Sequence, residues 1–135
     1  MKVIKKSTGI SAITLTLLES HILINAMEEV ISKIPLSAFR TRTGYSQKEY
    51  NDSLEFLKRA YTCKGGKALP SKTRIELNIS EKDVFLITQM LNEACNGLSI
   101  EDFEKRIGAS RKATENILRD FVLIRNWIRE NRASD

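Results

Sequence analysis

Phe39-Arg40-Thr41-Arg42-Thr43-Gly44-Tyr45-Ser46-Gln47-Lys48 and Phe103-Glu104-Lys105-Arg106-Ile107-Gly108-Ala109-Ser110-Arg111-Lys112 share one frame, F-x-x-R-x-G-x-S-x-K, at an offset of 64 residues. The same offset, with no gap, matches Glu29 with Glu93 and Leu54 with Leu118. Apolar character follows it as well: Leu15 meets Ile79, Ile22 meets Leu86, Leu23 meets Ile87, Met27 meets Leu91 and Ile34 meets Leu98. Self-similarity at a fixed spacing is the mark of a repeated structural unit.

Each copy predicts the same order of elements. Ile13-Thr14-Leu15-Thr16-Leu17 and Ile75-Glu76-Leu77-Asn78-Ile79 alternate with period two and carry β-branched residues, which predicts a short strand in each. Ser80 followed by Glu81 and Asp83 predicts a helix start, with acids at the positive end of the dipole. A first helix is expected from about Glu19 to Lys33 and from about Glu81 to Asn96. Pro35 and Asn96-Gly97 are the stop signals. A short helix follows, about Leu36 to Thr43 and Ile100 to Ile107, ended by Gly44 and Gly108 with positive φ. Ser46 and Ser110 are the expected N-caps of a third helix, about Gln47 to Tyr61 and Arg111 to Asn131. In the second copy this helix presents Leu118, Phe121, Val122, Ile124, Trp127 and Ile128 as a broad apolar face.

Gly65, Gly66 and Pro70 mark residues 62–73 as a linker. The expected architecture is an α-rich α/β fold, one domain over residues 1–135. Two tandem β-α-α-α repeats, about 10–61 and 74–131, share its core. A lone strand leaves backbone groups unsatisfied, so the two strands should pair, antiparallel about a pseudo-twofold axis. Lys2 to Lys6 are the candidate edge strand.

The 135 residues are 41% hydrophobic and 29% charged, a globular balance. Two cysteines, Cys63 and Cys95, and one histidine, His21, cannot assemble a structural zinc site. No nucleophile motif accompanies His21, and Gly65-Gly66 is an isolated pair with no phosphate-binding loop around it. No catalytic set, metal or cofactor is implied. The N-terminus lacks a signal-peptide pattern and no run approaches ~18 apolar residues, so a cytoplasmic protein with no membrane segment is expected.

The net charge is +5 and unevenly spread. Residues 40–74 carry +6, with Arg40, Arg42, Lys58, Arg59, Lys64, Lys67, Lys72 and Arg74 as candidates for an acidic partner or phosphates. Residues 75–110 carry −4, concentrated at Glu101, Asp102 and Glu104. Glu29 and Arg42, and Glu93 and Arg106, are each 13 residues apart, which suggests an ion pair tying the first helix of each unit to its second. His21 aligns with Phe85 and Cys95 with Ile31, so both read as packed side chains. Cys63 reads as an incidental exposed thiol, the alternative being a thiolate favoured by the lysines around it. Phe39, Phe56, Phe103, Phe121 and Trp127 fall at helical spacing and read as core.

The last two helices of each unit have the order and lengths of a helix-turn-helix. In a DNA-binding version Gln47, Lys48 and Asn51, then Arg111, Lys112, Glu115 and Asn116, would enter the groove. Arg40 and Glu104 stand four residues before the turn glycines, where close helix crossing favours a small side chain.

The run Leu91 to Ser110 carries a second resemblance, through Leu91, Asn92, Glu93, Cys95, Asn96, Gly97, Phe103, Arg106, Gly108 and Ser110. It is similar to a block, L-N-E-x-C-N-G-x-x-x-x-x-F-x-x-R-x-G-x-S, of small bacterial proteins encoded beside polymorphic toxins, including contact-dependent growth inhibition loci. The resemblance implies an immunity protein, which does no chemistry and blocks a cognate toxin domain, a nuclease among the candidates. The partner-binding candidates are then Glu101, Asp102, Glu104, Arg40, Arg42, Lys58 and Arg59. The alternative from the other motif is a helix-turn-helix DNA-binding regulator.

Overall fold

Thr16 and Ser80, 64 residues apart, each end a strand and cap a helix. The computed structural model describes residues 2–5, 11–63 and 73–133. In chain order these form β1 (Lys2–Lys5), β2 (Ser11–Thr16), α1 (Leu17–Lys33), α2 (Leu36–Thr43), α3 (Gln47–Cys63), β3 (Arg74–Ile79), α4 (Glu81–Asn92), a π turn at Glu93–Gly97, α5 (Phe103–Ile107) and α6 (Arg111–Ala133). The fold is α-rich with one small antiparallel sheet. The linker positions 64–72, among them Lys64, Lys67 and Lys72, lie outside the described residues, as does the side chain of Cys63.

The sheet has three strands in the order β1-β2-β3, both pairings antiparallel. β2 and β3 pair as expected, with Ser11 opposite Ile79, Ile13 opposite Leu77 and Leu15 opposite Ile75. A shift of 64 residues carries Ser11 to Ile75 and Leu15 to Ile79, so it exchanges two of these pairs and leaves Ile13–Leu77 at the centre. Period-two alternation does the sorting: Ile75, Leu77 and Ile79 are buried while Arg74, Glu76 and Asn78 are exposed. β1 adds the edge strand anticipated at the N-terminus.

A helix start explains one boundary difference. α1 begins at Leu17, ahead of the expected Glu19, because Thr16, the last residue of β2, also caps it. The Thr16 hydroxyl accepts from the Glu19 N–H at 3.0 Å and the Glu19 carboxylate accepts from the Thr16 N–H at 2.9 Å, a reciprocal capping box. Ser80 repeats the first half of this arrangement, accepting from the Asp83 N–H at 3.1 Å. Ser46 and Ser110 cap α3 and α6, accepting from Glu49 and Ala113. Each such cap contributes about 1 kcal/mol. At the far end α3 continues through Thr62 and Cys63, which the linker reading placed outside it.

The second half departs from its expected pattern between α4 and α5. The helix expected to reach Asn96 changes to a π turn at Glu93, where the Leu98 N–H bonds the Glu93 carbonyl at 2.8 Å. Gly97 is needed there for space and not for a left-handed backbone. A Cβ on it would run into the Glu93 carboxylate. Gly44 and Gly108 do take the left-handed conformation expected of them, with φ of 85° and 88°. α5 starts at Phe103, later than the expected Ile100, because Glu101 and Asp102 form an exposed turn.

One continuous core draws on β2, β3 and all six helices, with Phe39, Tyr50, Phe121, Leu23, Met27 and Met90 among its largest members. Of the aromatics read as core, Phe39 and Phe121 are buried, and Phe103 and Trp127 pack half-buried against the core. Phe56 is the exception: it is 37% exposed, in a groove it lines with Lys82 and Leu86 of α4. No described helix is long and apolar enough to cross a membrane.

Candidate functional site

The charged residues repeated in both halves do not pair as their spacing suggested. Arg42 bonds Glu93, Nε to Oε2 at 2.9 Å, and Arg106 bonds Glu29 at 3.3 Å. Each arginine thus reaches the glutamate of the other half. The cause is packing: α2 lies against α4, and α5 lies against α1, so each short helix sits on the long helix of the opposite half. The Arg42–Glu93 pair is the tighter. The Glu93 side chain is only 8% exposed, and Arg42 Nη2 also donates to the Gly97 carbonyl at 2.7 Å. Arg42 therefore fixes both ends of the π turn.

That turn feeds the acidic segment. Glu101, Asp102 and Glu104 are all exposed. Asp102 has φ of 51°, the single non-glycine among the described residues with positive φ, and its carbonyl accepts the Arg106 N–H at 3.0 Å. Asp tolerates this conformation better than most residues, at a residual cost. The carboxylates are thus carried on a turn held by Arg42 on one side and by the Arg106 backbone on the other.

The basic candidates are dispersed. Arg40 and Arg59 are exposed on α2 and α3. Lys58 is engaged by Glu28 at 2.9 Å, a contact that raises its pKa. No described ion pair joins any of these to the acidic turn.

In both halves a short helix ends at a left-handed glycine and a serine-capped helix follows. Their groove candidates are unequally free. Lys48 bonds Asp52 at 3.0 Å one turn along α3, and Gln47 is half-buried beside it. Arg111 folds back to donate to the Cys95 carbonyl and lies 4.4 Å over the Phe103 ring. Glu115 is half-buried, near enough to Cys95 to help raise its pKa. Asn51, Lys112 and Asn116 are exposed.

His21 and Cys95 hold the packed positions expected of them. The Asn25 amide sits 3.1 Å from His21 Nε2 and donates to the Ile107 carbonyl at 3.0 Å, tying α1 to the end of α5. Cys95 is buried, and desolvation pushes its thiol up to about 11. Among the described residues no group of three or more His, Cys, Asp or Glu is placed to hold a metal ion.

Two arginines that the sequence reading passed over line a cleft. Arg125 and Arg129 on α6 face Thr43, Tyr45, Phe85 and Gln89 around about 320 Å³. Their signal was the four-residue spacing of like charges, which reads equally well as the solvated side of an amphipathic helix. Comparisons with models of known protein families, with characterised proteins and with solved structures find no match to this chain.

Proposed function

We propose that this chain is a non-enzymatic bacterial immunity protein that works in the cytoplasm, binding a cognate toxin domain and occluding its active site or substrate path. One observation carries the reading. Eight of the residues that give the Leu91–Ser110 block its resemblance are engaged in building the fold. Leu91 and Cys95 are buried in it, and Glu93 is bound by Arg42. Gly97 leaves room for the Glu93 carboxylate, and Phe103 lies under Arg111. Arg106 binds Glu29, Gly108 turns the chain and Ser110 caps α6. The positions between them, Ser99, Glu101, Asp102, Glu104 and Lys105, turn their side chains to solvent. A scaffold of this kind suits a binding protein, which needs a fixed frame and a surface that can differ from one partner to the next. Holding the acidic turn in place beforehand lowers the ordering cost of binding. Its carboxylates suit a basic groove such as a nuclease presents.

The frame itself we read as a duplication of one β-α-α-α unit. Support comes from the sheet register that a 64-residue shift maps onto itself, the matched caps at Thr16 and Ser80, the paired left-handed glycines and the crossed ion pairs.

The second reading, a helix-turn-helix regulator, draws on the two glycine turns and on exposed Asn51, Lys112 and Asn116. The folded-back Arg111 and the paired Lys48 count against it. The test is a tagged pull-down from nuclease-treated lysate of the source organism, followed by expression of any stoichiometric partner alone and with this chain. Immunity requires a partner that arrests growth alone and is neutralised on co-expression. It also requires the triple reversal Glu101→Lys, Asp102→Lys, Glu104→Lys to lose protection while its circular dichroism stays unchanged. Recovery of duplex DNA only when nuclease is omitted, with affinity falling steeply in salt, would establish the regulator instead.

A further inference from the structure

We propose that the cleft formed by the turn after α2, by α4 and by the C-terminal half of α6 binds an oxyanion, a phosphate or carboxylate group, between the guanidiniums of Arg125 and Arg129. The site is separate from the acidic turn and owes nothing to the toxin-binding reading.

Four features converge there. Arg125 and Arg129 stand one helical turn apart, so their side chains share a face of α6. No carboxylate lines the cleft, and neither arginine takes part in a described ion pair. The Arg125 Nε is shielded from solvent and finds no acceptor among the described residues. The Arg129 guanidinium lies 5.4 Å over the Phe85 ring, a contact that limits its freedom and leaves its N–H edge available.

Two like charges on one wall repel, and one of them has lost water without gaining a partner. Burial first, and then the charge of Arg129, lower the pKa of Arg125. An oxyanion answers both deficits, accepting from the stranded Nε–H and neutralising the repulsion. The planar guanidinium fork matches two oxygens of a phosphate or carboxylate at once, which an ammonium cannot do. Tyr45 and Gln89 bring a hydroxyl and an amide to the same lining, neutral donors for the remaining oxygens. A cleft of about 320 Å³ falls within the range of small-ligand sites, so the group fits there as part of a small ester or an acidic side chain.

The experiment follows the arginine Nε–H resonances of the full chain in ¹H–¹⁵N spectra. Inorganic phosphate and acetate are titrated separately, with ionic strength held constant by sodium chloride. The Arg125 resonance is expected to move saturably with at least one of them. Preference for phosphate assigns the site to a phosphate ester, and preference for acetate to a carboxylate. Arg129→Gln, at an exposed position where the fold is retained, should weaken the response at least tenfold. Arg125→Lys, followed through the backbone resonances of the cleft, should weaken it comparably although the charge is kept. A response no larger than that to chloride, or an Arg129→Gln variant with unchanged affinity, overturns the proposal.

Discussion

Replacing Arg42 with Met removes the guanidinium from Glu93 and keeps most of the aliphatic bulk. The Glu93 side chain is 8% exposed, so its carboxylate is left without a partner in a nearly dry site. Breaking a fully buried pair costs about 3–5 kcal/mol. Arg42 is itself 37% exposed, so water takes part of its place and the loss falls to about 2 kcal/mol. The bond to the Gly97 carbonyl is lost as well, adding about 1 kcal/mol. The equivalent change at Arg106 should cost only about 0.5–1 kcal/mol. That pair is longer, at 3.3 Å, and its arginine is 50% exposed. Urea unfolding read by circular dichroism measures both, and Arg42→Met should lower Tm by roughly 10 °C. Double-mutant cycles then test who pairs with whom. Arg42→Met should couple to Glu93→Gln by about 1–2 kcal/mol and to Glu29→Gln by less than about 0.3 kcal/mol. Coupling of Arg42 to Glu29, or an Arg106 variant as damaging as the Arg42 one, would refute the crossed arrangement.

Three further outcomes are expected. Gly97→Ala should cost about 1–2 kcal/mol, because the new Cβ displaces the Glu93 carboxylate from Arg42. In a Glu93→Ala background the same change should be nearly neutral, and urea midpoints of the four proteins decide it. Glu49, hydrogen-bonded to Lys82 and to the Ser46 N–H, titrates at about 2, below its ordinary 4.5. A depressed carboxylate favours the folded state fully above pH 4.5, and that contribution is lost as pH falls toward 2. Carboxyl ¹³C shifts should show the Glu49 midpoint rising in Lys82→Ala, and an unchanged midpoint would contradict the assigned cause. In a Cys63→Ser variant, Cys95 should resist thiol reagents in the native state and react in urea, since burial holds its pKa near 11. Labelling at the rate of a free thiol would show that the site opens.

The sequence made the local rules legible and the cross-packing illegible. Gly44 and Gly108, Ser46 and Ser110, and the alternation in β2 and β3 each act within a few residues of themselves, so reading them from the chain succeeded. The capping box at Thr16 and Glu19 was present in the T-x-x-E spacing but was hidden by a strand reading that ran one residue too far. Glu29 with Arg42 failed for a different reason. Spacing along the chain says which residues recur, while the choice of partner depended on α2 crossing to α4, a contact between residues 51 apart. Phe56 failed because an aromatic at helical spacing marks a face, and the face proved wider than the core it covers. The cleft at Arg125 was invisible because like charges one turn apart resemble ordinary solvated surface until α4 and the α2 turn close around them.

The crossed pairs also link the frame to what it presents. Arg42 belongs to the first half, yet it anchors Glu93 and the Gly97 carbonyl, which bracket the π turn leading into Glu101 and Asp102. The acidic turn is therefore positioned from across the molecule, by a side chain outside the Leu91–Ser110 block. If the turn grips a toxin, Arg42→Met at a temperature where the protein remains folded should weaken binding although the carboxylates are untouched. Arg106→Met tests the opposite limb, because it loosens α5 from α1 and leaves the π turn in place. A larger binding loss at Arg42 than at Arg106, measured with both variants folded, would locate the control of the turn at its Glu93 end.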